Sequence, residues 1–250
     1  MDIRALIAYL SEWLGAVAAS WLLSISPRLR VPPVAFKYAR RDGFIALSLY
    51  ALILVFAFIF YAINPSLLPA AVTLTPAPVS PTTQNLFLAA VCLAVFGMAL
   101  VTRHQPMLSI GWKQSMIIPG LQMGVAVALL TVFLRNRVMD VLSGVTSAGL
   151  GALLLALGIS LAEETIFRGY IQLRLAAWLG RWQGVLLTSV LFAVWHLPAW
   201  LGHLPTQTIL ILLGLTFGQG LVLGWMMEKS HSVVAPALYR AVSIWMQFMG

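Results

Sequence analysis

Residues 149–170 read GLGALLLALGISLAEETIFRGY, an apolar run that ends in the pair Glu163-Glu164, with Arg168 four residues after Glu164. The chain has only seven acidic residues among 250, and two of them stand side by side here. A carboxylate next to hydrocarbon is costly, so an acidic pair at the end of such a run marks a candidate functional site. The run itself is typical of a helix in a membrane or a buried core.

The composition extends this interpretation to the whole chain. It is 61% hydrophobic and 9% charged, with a mean hydropathy of +0.94. Apolar runs of about 17–25 residues recur along it, and each is long enough to cross a bilayer as a helix. The sequence therefore predicts an all-α fold, a polytopic transmembrane bundle of seven or eight helices. The predicted spans are 44–63, 86–101, 116–134, 145–162, 185–200, 208–227 and 232–248.

Two segments are less clear from the sequence. Residues 3–25 are apolar but contain Arg4 and Glu12, and they could form a first span, an interfacial helix or an uncleaved signal-anchor. Residues 165–178 are predicted to be a helical piece that is not a full span. Small residues recur at helical spacing in 144–151 and 214–224, a pattern typical of closely packed helices rather than of a cofactor-binding loop.

The formal net charge of +8 raises the question of nucleic acid as a partner. The basic residues lie in short loops between apolar runs, and no basic stripe with interleaved aromatic residues occurs, so nucleic-acid binding is excluded. Basic loops are typical of the cytoplasmic face of a membrane protein, next to anionic lipid. The strongest such loop carries Arg28, Arg30, Lys37, Arg40 and Arg41, and a second covers 103–113.

These loops give an orientation. Residues 64–84 contain five prolines and no charge, which predicts an outer loop. Arg135 and Arg137 count against placing the connection 135–144 on the outer side. The charges of the other loops place the acidic pair nearer the cytoplasmic side. The compact chain without targeting extensions favours the inner membrane of a bacterium.

Helical spacing assigns different surroundings to the two glutamates. Glu164 and Arg168 are four residues apart with the acid first, the favourable orientation for an ion pair. Glu163 lies about 100° further round the helix and is not aligned with Arg168. We therefore expect Arg168 to neutralise Glu164 and Glu163 to be partly buried and unpaired, as suits a general base. A structural ion-pair cluster at a helix end is the alternative.

A second candidate lies in the motif Phe192-Ala-Val-Trp195-His196-Leu-Pro198. Pro198 is expected to bend or end the helix, and Phe192 to share a face with His196. On two neighbouring helices, Glu163 and His196 could bind one water, or a metal ion such as zinc that activates it.

With these residues in view, the sequence resembles the CAAX protease and bacteriocin-processing (Abi) family of intramembrane endopeptidases. The resemblance rests on Glu163-Glu164-Thr-Ile-Phe-Arg168-Gly-Tyr followed by Phe192-x-x-x-His196. It covers 144–250, which we predict to be the catalytic core, whereas 1–143 match only as membrane helices and loops. The resemblance implies that the first glutamate activates water and that histidines bind this water or a metal.

The chain departs from the family pattern in its last helix. The family usually has a histidine and, four residues later, an asparagine, where this chain has Arg240 and Ile244. His231 and His203 match no motif position and are expected at the surface. Glu163 and His196 alone are too few ligands for tight zinc binding, and Arg240 would repel a cation. Arg240 could stabilise an oxyanion, grip a substrate carboxylate, neutralise Glu163 or reach towards the interface.

The resulting prediction is an intramembrane endopeptidase acting on a membrane-associated peptide or protein. No cofactor is assigned, and a divalent metal such as zinc is the candidate. Glu163, Glu164, Arg168 and His196 form the predicted catalytic group, and Arg240 contacts substrate or oxyanion. An inactive family member that serves as a membrane scaffold or binding subunit is the rival interpretation. A transporter is disfavoured, because no pair of broken helices occurs in matching halves.

Overall fold

The computed structural model describes residues 3–29, 31–32, 34–63 and 82–248. Arg30 and positions 64–81 of the predicted outer loop lie outside these ranges, as does the side chain of Arg4. The described residues form helices and loops and contain no β-strand. The α-helices are α1 (Ile3–Leu23), α2 (Ala39–Ile63), α3 (Thr83–Thr102), α4 (Gln114–Leu134), α5 (Val138–Leu142), α6 (Ser147–Glu164), α7 (Leu173–Leu179), α8 (Arg181–Val194), α9 (Leu197–Trp200), α10 (Thr206–Ser230) and α11 (Val234–Phe248).

Seven helical stretches of the described chain are long and apolar enough to cross a membrane, which confirms the predicted polytopic bundle. The first lies in α1, which packs along α4 and α10. The predicted span 232–248 is instead the short helix α11. Its 15 residues rise about 22 Å, less than the roughly 30 Å of a hydrocarbon core. It packs against α4, α6 and α10 inside the bundle, and most of it is buried.

Residues 165–178 are helical and do not form a span of their own, as predicted. A π-helical segment, Thr165–Gln172, joins α6 to α7, and the combined helix Ser147–Leu179 has 33 residues. Gly169 lies within this helix without interrupting it. Glycine is needed there for close packing, because a Cβ would lie 2.3 Å from the Ile110 carbonyl oxygen. The helix ends at Gly180, whose φ of +103° favours glycine.

The glycine-rich run on α10 packs closely, as predicted. A Cβ at Gly218 would meet the Trp13 ring at 2.6 Å, and one at Gly220 would lie 3.0 Å from Ser189. The corresponding prediction for 144–151 was wrong. No atom lies within 4 Å of a Cβ built at Gly144 or Gly151. Of the two glycine-rich runs, 214–224 is thus the one that packs closely, and it brings α10 near α8.

Each of the six acidic residues in the described chain forms an ion pair with an arginine. The pairs are Glu12–Arg135, Asp42–Arg103, Asp140–Arg137, Glu163–Arg240, Glu164–Arg168 and Glu228–Arg181. The two arginines that counted against an outer position of 135–144 are thus both neutralised. Lysines and arginines without an acidic partner among the described residues gather at one end of the bundle. This basic end, as we call it, is formed by residues 24–29, 31–32, 34–38, 103–113 and 227–233.

Candidate active site

The five predicted site residues come together inside the bundle. Glu163 and Glu164 end α6, and Arg168 follows in the π-helical segment. His196 lies between α8 and α9, and Arg240 lies near the middle of α11. All five are buried, and Glu163 and His196 are the most exposed at 8% each. The helices thus bring residues from three separate parts of the chain into one apolar surrounding.

The predicted pair of Glu164 and Arg168 is present. Arg168 Nε lies 3.3 Å from Glu164 Oε2, with both side chains fully buried. Arg168 Nη2 also donates to the Gly220 carbonyl at 3.2 Å. This second bond reaches α10 because the glycines there allow a close approach of the backbone. Arg168 therefore ties the acidic pair to α10.

Glu163 is not unpaired, and this part of the prediction was wrong. Arg240 Nη1 forms an ion pair with Glu163 Oε2, and Trp195 Nε1 donates to Glu163 Oε1 at 3.1 Å. The pairing arises because α11 packs along α6 and directs Arg240 towards the end of that helix. Four roles were considered for Arg240, and the contact in the structure is that of the one in which it neutralises Glu163.

Arg240 also joins the two glutamates. Its Nη1 lies 3.7 Å from Glu164 Oε1. The guanidinium groups of Arg168 and Arg240 approach the Phe192 ring, with 4.6 Å and 4.8 Å to its centroid. A cation over an aromatic face is attracted by the ring quadrupole. Glu163, Glu164, Arg168 and Arg240 form what we call the glutamate cluster, with two formal charges of each sign.

His196 lies beside this cluster with a defined orientation. Its Nδ1 is 2.8 Å from the Phe192 carbonyl oxygen. Because a carbonyl only accepts, Nδ1 carries the proton and Nε2 carries the lone pair. The ring stacks on Trp200 and meets Phe192 edge to face, as expected for two residues on one helix face. Helix α8 ends at Val194, shortly before Pro198, which confirms the predicted break.

The glutamate cluster is not saturated with hydrogen bonds. Seven of its buried atoms have no hydrogen-bond partner among the described residues, although ion pairs lie within reach. These atoms are Glu163 Oε2, Glu164 Oε1 and Oε2, Arg168 Nε and Nη1, and Arg240 Nε and Nη1. Buried polar atoms nearly always have a partner in native proteins, so the cluster is suited to binding a further polar group.

The donor set does not fit a catalytic zinc ion. Such a site uses three protein ligands, and this one offers Glu163 and His196. No group of three His, Cys, Asp or Glu side chains in the described chain could hold a metal. The third position is held by Arg240, whose charge opposes a cation and whose guanidinium contacts Glu163.

The remaining residues of the predicted motifs lie outside the cluster. Ile244 packs with Ala156 and Ala241 in an apolar patch. His203 is exposed in the loop after α9, as predicted. His231 is half-buried at the end of α10. None of these three side chains joins the glutamate cluster.

Trp195 and Phe192 contact the charged residues of the site, which the sequence analysis did not predict. Trp195 donates to Glu163, and the ring of Phe192 contacts both guanidinium groups. A tryptophan directly before the candidate histidine was the available signal, because a buried indole N–H usually finds an acceptor. Trp112, which donates to Thr165 Oγ1 at 3.0 Å at the start of the π-helical segment, carried no such signal.

Part of the chain matches a known protein family. Residues 146–246 match the model of a family described as type II CAAX prenyl endopeptidase, Rce1-like. The match covers less than half of the chain but includes α6 to most of α11, and with them all five predicted site residues. It confirms the resemblance inferred from the motifs. No curated protein and no solved structure matches the chain.

Proposed function

We propose, from the match of residues 146–246 to the type II CAAX prenyl endopeptidase family, that the protein is an intramembrane endopeptidase in which Glu163 activates water. The observation that carries the proposal is the burial of His196 beside the glutamate cluster, in which Glu163 and Arg240 have unsatisfied polar atoms. The substrate is a peptide or protein that enters from the membrane.

Glu163 is the proposed general base. Its two oxygens contact Trp195 and Arg240, and the imidazole of His196 lies near it. The lone pair of that imidazole is on Nε2 and can accept a hydrogen bond. A water between the Glu163 carboxylate and this nitrogen would donate one proton to each. That geometry directs the oxygen lone pair of the water away from both groups and towards a substrate carbonyl.

Hydrolysis then needs two proton transfers. Glu163 takes one proton as the water oxygen bonds to the carbonyl carbon, and the carbonyl oxygen becomes an oxyanion. The C–N bond breaks when the resulting carboxylic acid of Glu163 returns the proton to the leaving nitrogen. The products are a new carboxyl group and a new amine, and Glu163 is again ionised.

Arg240 is proposed to bind the oxyanion. Attack by the water held at Glu163 would generate the negative charge within reach of the neighbouring guanidinium, whose Nε has no hydrogen-bond partner among the described residues. Preorganised donors of this kind contribute about 10²–10³-fold to the rate. Arg168 supplies Glu164 with a second cation, nearer to it than Arg240 is.

Orientation is inferred from the charge distribution. Glu163 is six residues before Gly169, which packs on the loop at the basic end. Basic loops favour the cytoplasmic side. The cluster would therefore open nearer the cytoplasm, in the inner membrane if the host is a bacterium.

The test is cleavage by the purified protein in detergent. The probes are a farnesylated peptide with a CAAX end and fluorogenic membrane-anchored peptides. We expect Glu163→Gln to lower the cleavage rate about 10²–10⁴-fold, because a positioned base contributes that much. Asp140→Asn is the matched control, since Asp140 forms an exposed pair with Arg137 far from the cluster. Full activity in folded Glu163→Gln protein would exclude Glu163 as the base.

The Glu163–Arg240 ion pair favours a second candidate function, a non-catalytic scaffold. A guanidinium bound to the acid, with Ile244 turned into an apolar patch, is what an inactive family member would show. A complementation experiment separates the two functions. Cells that carry Glu163→Gln should accumulate an uncleaved membrane protein if the chain is a protease, and should behave as wild type if it is a scaffold.

A further inference from the structure

A large cavity lies at the basic end of the bundle, away from the glutamate cluster. Its volume is about 700 Å³, within the range of about 300–1,000 Å³ that is usual for ligand sites. Its walls come from the segment after α1, the loop before α4, α7 and the end of α10. Most of the lining side chains are apolar, among them Leu29, Val34, Leu108, Leu173 and Met227.

The polar part of the cavity is cationic. Arg181 and Glu228 neutralise each other in an ion pair of 2.7 Å. Lys113 and Lys229 also line the cavity, and neither forms an ion pair within the described chain. Lys229 Nζ instead lies 4.5 Å from the centroid of the Trp225 ring. The cavity therefore combines an apolar wall with two uncompensated positive charges.

His231 shows how closely these charges converge. It lines the cavity in a left-handed conformation, with φ of +51°. Burial lowers the pKa of His231, Glu228 opposes this, and Arg181, Lys113 and Lys229 lower the pKa further. Three cations are thus near one imidazole, which stays neutral at pH 7 and can donate a hydrogen bond to an anion.

Aromatic residues place the cavity at the membrane surface. Trp182 and Trp225 stack with ring centroids 5.8 Å apart, and Trp182 is 59% exposed. Tryptophan is enriched where a membrane protein crosses the headgroup level. Arg181 and Lys229 line the cavity and lie next to these rings, so the cationic part of the cavity lies at the headgroup level.

We propose that this cavity binds one anionic phospholipid, with its phosphate at Lys113 and Lys229 and an acyl chain along the apolar wall. The charge selects a lipid with a net negative headgroup, because the ammonium group of a zwitterionic headgroup would meet the same lysines. The apolar wall selects a lipid over free phosphate, which would leave that surface without a partner. The proposal concerns a site separate from the glutamate cluster and does not require the protein to be a protease.

Native mass spectrometry of the purified full chain tests the proposal. The protein is released from nanodiscs of phosphatidylglycerol, or of phosphatidylcholine, and bound lipids are counted. We expect one retained phosphatidylglycerol and no retained phosphatidylcholine. The double variant Lys113→Gln/Lys229→Gln should bind phosphatidylglycerol roughly ten- to thirty-fold more weakly, since each lysine near an anionic lipid contributes about a factor of five.

The matched control removes the same charge elsewhere at the basic end. Lys37→Gln/Arg40→Gln changes two exposed cations that do not line the cavity and should retain the lipid as wild type does. An equal loss in this control would show a general surface effect and overturn the proposal. Equal retention of phosphatidylcholine, or displacement of the lipid by millimolar inorganic phosphate, would also overturn it.

Discussion

Helix α11 takes part in two buried ion-pair centres whose polar atoms are satisfied to different degrees. Arg240 belongs to the glutamate cluster, and Ser243, one helical turn further, belongs to a centre with Glu12 and Arg135 that we call the Glu12 centre. Glu12 and Ser243 are 1% exposed, so burial is similar in the two centres. The difference lies in their hydrogen bonds.

The Glu12 centre is saturated. Arg135 Nε donates to Glu12 Oε2 at 2.7 Å, and its Nη1 and Nη2 donate to the backbone and side-chain oxygens of Ser243 at 2.9 Å each. Ser243 Oγ donates to Glu12 Oε1, also at 2.9 Å. Every polar atom of the three side chains has a partner, and the centre links α1, the end of α4 and α11. Such a network is a structural tie.

The glutamate cluster has charges of both signs but leaves seven buried atoms without a hydrogen bond among the described residues. Its burial is compensated mainly by ion pairs, with hydrogen bonds from Trp195 to Glu163 and from Arg168 to the Gly220 carbonyl. A saturated centre stabilises the fold, whereas an unsaturated one of the same burial is suited to exchanging partners with a ligand. The comparison predicts that matched substitutions act on stability in one centre and on activity in the other.

The largest effect is expected from Arg135→Gln. The shorter side chain cannot reach Glu12 and Ser243 together, and an uncompensated buried carboxylate remains. Breaking a buried pair in this way costs about 3–5 kcal/mol, which should appear as a lower thermal midpoint and a lower yield of folded protein. Glu12→Leu/Arg135→Leu is the control, and it should recover most of the loss. If Arg135→Gln has the same thermal midpoint as wild type, the Glu12 centre does not have the proposed structural role.

Next in size is Arg240→Gln. Arg168 remains as a cation beside the acidic pair and Trp195 still donates to Glu163, so we expect a smaller loss of stability than in Arg135→Gln. Cleavage should fall about 10²–10³-fold, as when one oxyanion donor is removed. Rates measured at equal concentrations of folded protein check this. If Arg240→Gln is as unstable as Arg135→Gln and keeps its specific activity, the two centres have the same role.

Ser243→Ala tests the Glu12 centre more finely. It removes the donor to Glu12 Oε1 and the side-chain acceptor for Arg135 Nη2, and the backbone carbonyl of Ser243 remains bonded. Hydrogen bonds to charged groups contribute about 1.5–3 kcal/mol. We expect thermal unfolding to report a loss of that size with little change in cleavage per folded molecule. Lost cleavage at unchanged stability would contradict the distinction.

Trp195→Phe is the matched change in the glutamate cluster and should have the smallest effect. It removes the indole donor to Glu163 Oε1 and retains an aromatic ring against Phe167. We expect the cleavage rate to fall about tenfold, which corresponds to about 1.4 kcal/mol of activation free energy. This is close to the lower limit for a hydrogen bond to a charged group. Thermal stability should change less than in Ser243→Ala.

Several features could be predicted from local sequence. The apolar runs, the pairing of Glu164 with Arg168 and the break before Pro198 all follow from spacing within one helix turn or from one residue type. The role of α11 could not be predicted this way. Its 15 residues look like a further span, and only its packing against three other helices shows that it lies inside the bundle.

By itself, then, the sequence determined the helical membrane architecture, the position of the acidic pair and the family resemblance, because helix periodicity and hydrophobicity are local properties. Only the tertiary structure decided that Arg240 pairs with Glu163, that Arg135 neutralises Glu12, and that Thr165–Gln172 joins two helices into one. These partners are far apart in the chain, and a buried charge is stabilised by whichever opposite charge the packing brings within reach. Glu163 therefore differs from the free carboxylate predicted by helical spacing, because another helix supplies its partner.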